Sequence, residues 1–320
     1  MPNASLNGEA VVDPSLHHQT IQSGESMINE DRISDLPDGL LDQIYSDIDI
    51  IEAIRSSLVS KRWRYLWKSL TFLNADCHTY YHHQGIPAAE FNDFVNKVLL
   101  FRDSSSTIQR YCFKYEKKIP VTESVKTVIQ FTVPSDTPVL DLEFCSNTLR
   151  TIHLCPCLAT SKQLTVLKLK MRKGSHGYGS PIAIFSLPES LSLPRLKTLH
   201  LQMLRFQGTD FVHNLFSSCP MLEILTIIKC ELHKTDNVIF SAVQLKHLEI
   251  DELSAYCDME SNKKCKITVS ATNLRTFVCR ADISNEYSLQ NLSSLVKADI
   301  DMRFPFSYEF EELELSSFAA

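Results

Sequence analysis

One short spacing dominates the second half of the chain: an apolar residue, two residues, an apolar residue, one residue, and a third apolar residue. It occurs as LRTIHL at Leu149, LTVLKL at Leu164, LKTLHL at Leu196, LEILTI at Leu222, LKHLEI at Leu245, LRTFVC at Leu274 and LVKADI at Leu295. The mean interval, (295 − 149)/6, is about 24 residues, within the roughly 20 to 29 of short strand-bearing repeats. Alternate residues of a strand face opposite sides, so Leu225 and Ile227 are predicted to point inward and Ile224, Thr226 and Ile228 outward. A single copy buries too little to fold alone. The copies are therefore expected to stack into an α/β architecture, a curved solenoid with a parallel strand face.

The first half follows a helical period. Between Asp31 and Leu70, three short amphipathic stretches predict a compact bundle. In the first, Pro37 suits an opening helical turn, and Leu40, Leu41, Ile44 and Tyr45 share one face. The second runs from about Ile50 to Ser57. In the third, Ser60 is a cap for a helix whose stripe is Trp63, Leu66, Trp67 and Leu70, with Lys61, Arg62, Arg64 and Lys68 mostly away from it. Three helices this short bury little surface, so some of their apolar residues are expected to need a partner. A fourth helix, with Phe91, Phe94, Val95, Val98 and Leu99 at helical spacing, follows Pro87.

Between repeat copies, Thr209–Ser218 reads as a return helix burying Phe211, Val212, Leu215 and Phe216, stopped by Cys219 and Pro220. The insertion MRKGSHGYGSPIAIFSLPESLS, rich in glycine and proline, reads as an exposed loop. Residues 1–30 are polar and predict a disordered leader, 31–75 the helical module, 76–136 a helical connector with atypical first repeats, and 137–304 the repeat domain. Residues 305–320 read as a terminal strand or tail, with Phe310, Leu313 and Leu315 as its apolar positions.

Composition narrows the function classes. At 320 residues and 44% hydrophobic content the chain can bury a substantial core, and its net charge of −6 offers no global attraction for a polyanion, so neither nucleic acid nor a membrane surface is an expected partner. No basic start followed by an apolar run, and no stretch of about 18 apolar residues, indicates secretion or membrane spanning. A cytoplasmic or nuclear location is expected, with the ten cysteines reduced.

No cofactor or metal is expected. His153, Cys155 and Cys157 form an HxCxC cluster, but Cys157 holds the ninth repeat position after Leu149, as Cys230 does after Leu222, which favours a buried repeat cysteine. Cys77 with His78, His82 and His83 lacks a second paired motif. GSHGYG at 174–179 has no following Lys-Ser/Thr, so it is no phosphate loop. No nucleophile with a positioned base is identifiable, and a non-catalytic role is expected. The basic run Lys61–Arg64 reads as a solvated helix face.

ISDLPDGLL from Ile33 to Leu41, together with Ile44 and SKRWRYLW from Ser60 to Trp67, resembles the F-box of the plant F-box/leucine-rich-repeat proteins. CPMLEIL from Cys219 and KCEL from Lys229 resemble that family's repeats, and the resemblance spans residues 31 to about 304. It implies a Skp-family adaptor as partner, linking the chain to a cullin-RING ubiquitin ligase, and an unidentified protein substrate bound by the repeats. By the same carry-over, Leu36, Pro37, Leu41, Ile44, Val59, Trp63 and Leu66 form the adaptor surface. The sequence departs from the family pattern at Asp47, where an apolar residue is usual, and at Asp49, where a proline is usual. A scaffold that binds proteins without delivering ubiquitin is the alternative. The expected recognition face comprises outward strand positions: Lys168, Lys170, His200, Gln202, Ile224, Thr226, Ile228, His247, Glu249, Asp251, Arg280, Asp299 and Asp301, running from basic to acidic.

Overall fold

The computed structural model describes residues 36–84, 88–115, 137–145, 151–153, 156–172, 183–186, 191–207, 211–233, 237–256, 265–282 and 285–303. The expected leader, the HxCxC side chains, the GSHGYG segment and the 305–320 tail lie outside the described residues.

The first helix, α1 (Asp38–Asp47), begins one residue after Pro37. That proline is extended, at φ −58° and ψ 145°, and its carbonyl accepts from Leu40 and Leu41 N–H. Pro37 therefore precedes the first turn instead of occupying it. Leu41 and Tyr45 are buried while Leu40 and Ile44 stay exposed, so the broad apolar face of α1 is split between core and surface. The second helix, α2 (Ile50–Ser56), is capped by the Asp49 carboxylate, which accepts from Ile51 N–H at 2.8 Å. The predicted third helix is broken into a 3₁₀ turn at Trp63–Tyr65 and a short α3 (Leu66–Ser69), because Tyr65 sits at φ −119° and ψ 0°, off helical geometry.

Beyond it come β1 (Phe72–Asp76), α4 (Cys77–Gln84), α5 (Ala88–Phe101), β2 (Arg110–Tyr115) and β3 (Val139–Cys145). Next are β4 (Thr151–His153), α6 (Pro156–Ala159), β5 (Val166–Arg172), β6 (Ala183–Ser186), β7 (Thr198–Gln202), β8 (Leu204–Gln207) and α7 (Phe211–Ser218). The remainder are β9 (Ile224–Ile228), β10 (Glu231–His233), β11 (Asn237–Phe240), β12 (His247–Asp251), β13 (Ser254–Tyr256), β14 (Lys266–Ser270), β15 (Thr276–Asp282), β16 (Glu286–Gln290) and β17 (Lys297–Arg303).

Nine parallel strands form one sheet in the order β1-β2-β3-β5-β7-β9-β12-β15-β17. Six of the seven sequence copies supply β5, β7, β9, β12, β15 and β17, each paired with the next. The first leucines of five of them, Leu164, Leu196, Leu222, Leu245 and Leu274, are buried, and Leu295 of the sixth is partly buried. The inward residues align across the sheet: Leu73, Tyr111, Leu140, Leu167, Leu199, Leu225, Leu248 and Phe277 make one buried row. Burying such side chains contributes about 1.5–3 kcal/mol each before ordering entropy is subtracted.

Two expectations change here. LRTIHL at Leu149 supplies β4, which belongs to a five-stranded sheet ordered β13-β10-β8-β6-β4, and the strand beside β5 in the large sheet is β3, from VLDLEFC. The insertion after β5 is not wholly loop, since Ala183–Ser186 forms β6 between β4 and β8. Helix α5 packs Phe91, Val95 and Val98 into the core, with Phe91 stacked on Phe113 of β2 at 5.7 Å. The return helix α7 buries Val212 and Leu215 and stops before Cys219, as the pattern predicts. A third sheet, β11-β14-β16, takes over the return side beyond it.

Sharp corners carry the chain from the large sheet into the five-stranded one. Met203 (φ 55°), Lys229 (φ 51°) and Glu252 (φ 49°) each follow a strand of the large sheet in left-handed geometry. The N–H of each is donated to a carbonyl of the next strand of the large sheet: Met203 to Ile228 at 2.9 Å and Lys229 to Asp251 at 2.7 Å, both strand-terminal, and Glu252 to Arg280 within β15 at 2.7 Å.

Candidate recognition surfaces

The helical region leaves several apolar side chains exposed. Leu58 (88% exposed) and Val59 (68%) lie in the turn after α2, and Leu40 and Ile44 are about half exposed on α1. Pro37 is exposed as well. Of the residues expected to face an adaptor, Pro37, Ile44 and Val59 are thus on the surface. Leu41 is not: at 1% exposure it is a core residue beside Tyr45. Leu36, Trp63 and Leu66 are partly buried and pack against that core. The Trp63 ring meets Tyr45 edge-on at 6.0 Å, and its indole N–H is buried without a hydrogen-bond partner, so this tryptophan serves the interior first. Sequence reasoning missed Leu58 and Tyr65 (62% exposed) as surface apolar groups, because neither falls on the helical stripes it followed.

The second surface is the outward side of the nine-stranded sheet. Strand register sets its side chains in rows. One row runs Asn74, Cys112, Asp141, Lys168, His200, Thr226, Glu249, Val278, Asp299. The next runs Asp76, Lys114, Glu143, Lys170, Gln202, Ile228, Asp251, Arg280, Asp301. A third places Ile224 beside His247. All thirteen expected recognition positions therefore share this face, but the basic-to-acidic gradient is largely cancelled. Lys170 and Lys168 meet Asp141 at 3.0 and 3.8 Å, Arg172 meets Glu143 at 3.1 Å, and Arg280 reaches Glu249 and Asp299 at 3.4 Å each. Asp141 and Glu143 come from β3, outside the seven counted copies, which is why the sequence pattern left Lys168 and Lys170 uncompensated.

Between these paired ends lies an uncharged band on β7 and β9. Burial pushes the His200 imidazole below its ordinary pKa, which keeps it neutral, and its Nε2 lies 3.4 Å from Gln202 Oε1. Ile224 is 39% exposed while Thr226 is nearly covered at 8%. Burial also raises the Asp251 carboxyl above its usual range.

At the β1 end of the face an open cleft of about 550 Å³ lies under the α1–α2 corner, lined on the helical side by Asp47 and Asp49 and on the sheet side by residues of β1, β2, β3 and β5. Asp49 is held by two backbone donors, Ile51 and Asp76 N–H, both at 2.8 Å. Burial outweighs them and pushes its carboxyl up to about 6.

Among the described residues, Cys77, Cys112, Cys219, Cys230, Cys265 and Cys279 are buried thiols. Cys230, at the ninth repeat position, donates to the Leu201 and Ile228 carbonyls, and burial pushes its thiol up to about 12. Among the described residues no group of three His, Cys, Asp or Glu is placed to hold a metal ion, and no helix is long and apolar enough to cross a membrane.

Comparison with known proteins finds matches in both the helical and the repeat regions. The F-box domain pattern matches residues 33–74, and a leucine-rich-repeat pattern matches residues 195–220. Three Arabidopsis thaliana relatives are an F-box/FBD/LRR-repeat protein, 30% identical over 284 residues (88% of this chain, 60% of its own length), an F-box/LRR-repeat protein, 29% identical over 294 residues (86% and 54%), and a further F-box/FBD/LRR-repeat protein, 30% identical over 295 residues (88% and 60%). The chain spans 54% to 60% of the length of these curated relatives, and their names give no enzymatic activity. No solved structure matches it significantly. With an F-box match over α1–β1 and a leucine-rich-repeat match over β7–α7, the chain carries an F-box followed by leucine-rich repeats and is similar over most of its length to the plant F-box/leucine-rich-repeat proteins.

Proposed function

We propose that the chain is the substrate-recognition adaptor of a Skp-cullin-F-box type ubiquitin ligase. Residues 31–75 dock on a Skp-family adaptor, while residues 137–304, stacked as a curved solenoid, select an intracellular protein in the cytosol or nucleus. The observation that carries this reading is the exposure of Ile44, Leu58 and Val59 within the F-box match, outside a core that already contains Leu41, Tyr45, Ile50 and Ile51. Large apolar side chains left exposed on a module too small to stand alone are what an adaptor groove covers. The chain supplies recognition, and the transfer chemistry belongs to the ligase.

Co-purification with a Skp-family adaptor tests the reading. The wild-type chain is expected to retain the adaptor, and Val59→Asp to lose it with an unchanged melting temperature, because Val59 makes little contact with its own fold. Equal recovery from both proteins would place the interface elsewhere.

Asp49 favours a second reading, a repeat scaffold with a degenerate F-box. Its two hydrogen bonds replace the rigid proline usual in the family with a titratable cap at the start of α2. Failure of the wild-type chain to retain any adaptor would support it.

A further inference from the structure

The cleft under the α1–α2 corner is rigidly framed. Asn74 Nδ2 donates to the carbonyls of Ser46 at 2.9 Å and Ile48 at 3.4 Å, and Asp76 N–H is held by Asp49. Its volume, about 550 Å³, falls within the roughly 300–1,000 Å³ of ligand pockets. The charges around it are mixed, and most are matched. Lys114 meets Asp76 at 3.5 Å, Lys170 meets Asp141 at 3.0 Å, and Glu143 is taken by Arg172 at 3.1 Å. Among the described residues the unmatched charges of the lining are two carboxylates on the helical side, Asp47 and Asp49, and one cation on the sheet side, Arg110.

We propose that this cleft receives a basic peptide segment of the recognised protein, seating an Arg or Lys side chain between Asp47 and Asp49 and a carbonyl or carboxylate of the same segment against Arg110. The inference rests on reading the outward strand face as the recognition surface, and it adds the chemical class of what is recognised there. Charge complementarity fixes the occupant's sign. An acidic segment meets two carboxylates, and an apolar one leaves all three charges without a counter-charge. Asp49 is already positioned by two backbone donors and needs no reorganisation to accept a cation, whereas Asp47 is exposed and gives up only hydration. A guanidinium, planar and weakly hydrated, suits such a pair better than an ammonium. The cleft continues into the row that holds Lys170, Gln202 and Ile228, so a segment anchored there runs on across the uncharged band.

The test is fluorescence anisotropy of the full chain with a labelled, terminally capped hexapeptide carrying two arginines, and with twins carrying two citrullines or two glutamates. The arginine peptide is expected to bind saturably, at least about tenfold tighter than the citrulline twin, with no measurable binding of the glutamate twin. Asp47→Lys, an exposed substitution that removes no internal contact, is expected to weaken the arginine peptide at least about tenfold at an unchanged melting temperature. Asp49→Asn, verified as folded by circular dichroism, should act in the same direction. Equal affinity for the citrulline twin, or an arginine affinity indifferent to both substitutions, overturns the proposal. Adaptor co-purification is run on the same preparations. Adaptor recovery without arginine-peptide binding removes the cleft assignment alone, whereas loss of adaptor with peptide binding intact removes only the ligase reading.

Discussion

Asp49 concentrates several roles in one carboxylate. It caps α2, ties the α1–α2 corner to the end of β1, and borders the cleft. Because burial raises its folded-state pKa to about 6, above the unfolded value near 3.9, the folded protein binds more protons than the unfolded chain between those values. The sign follows: this residue's contribution is fully present below about pH 4 and is lost as pH rises through about 6. Asp49→Asn keeps one acceptor and loses the other. It is expected to lower stability at pH 5 by about 0.5–1.5 kcal/mol and to flatten the stability profile between pH 4 and 6, measured by urea unfolding at a series of pH values. A profile as steep in the variant as in the wild type would locate the titration elsewhere. Of these roles only the position was legible in the sequence, as a departure from the family pattern. The partner Asp76 lies 27 residues away, across a fold that periodicity alone does not specify.

At the scale of the element, the corners after β7, β9 and β12 are the least expected feature. Met203, Lys229 and Glu252 are not residues that choose left-handed geometry, which costs a non-glycine residue roughly 1–2 kcal/mol. The bond each donates to the next strand offsets that cost. Lys229, whose charge meets Glu252 at a half-exposed 3.6 Å, is the cleanest position to probe. Lys229→Gly is expected to raise the unfolding free energy by about 0.5–1 kcal/mol and Lys229→Val to lower it by about 1–2 kcal/mol, by urea denaturation at pH 7.5. Other elements show why period alone was sometimes insufficient. The aromatic alternation Tyr111, Phe113, Tyr115 of β2 is a strand signal, but it lacks the leucine spacing and falls in the stretch read as a helical connector with atypical first repeats. The third helix had a continuous stripe, yet Tyr65 divides it, a backbone choice that side-chain hydrophobicity does not encode.

Across the described residues, the repeat spacing was enough to place six strands side by side and to mark the buried positions of β5, β7, β9, β12 and β15, because a strand's period of two leaves little freedom once leucines mark the buried face; Thr226, expected outward, is nearly covered, and Ile300 of the edge strand β17, expected inward, is half exposed. The electrostatic character of the outward face was not legible in the same way. It depends on which strand neighbours which, and the pairing of β3 with β5 converts an apparent lysine patch into ion pairs. A reader of the repeats alone therefore expects a charged recognition face, whereas the fold presents a neutral central band between compensated ends, with the cleft beside α1 as the site where charge is left over.

The corner bonds carry a further consequence for motion. Each left-handed N–H sits at a turn, where amides ordinarily trade their hydrogens with solvent quickly, yet each is locked to the strand of the following repeat. Opening one turn thereby frees a carbonyl of the neighbouring strand, so the four strands β7, β9, β12 and β15 should open as a single cooperative block. In native-state hydrogen exchange the amides of Met203, Lys229 and Glu252 are expected to share one protection free energy with the amides inside those strands. Protection at the corners lower by more than about 2 kcal/mol would mean that each repeat frays independently.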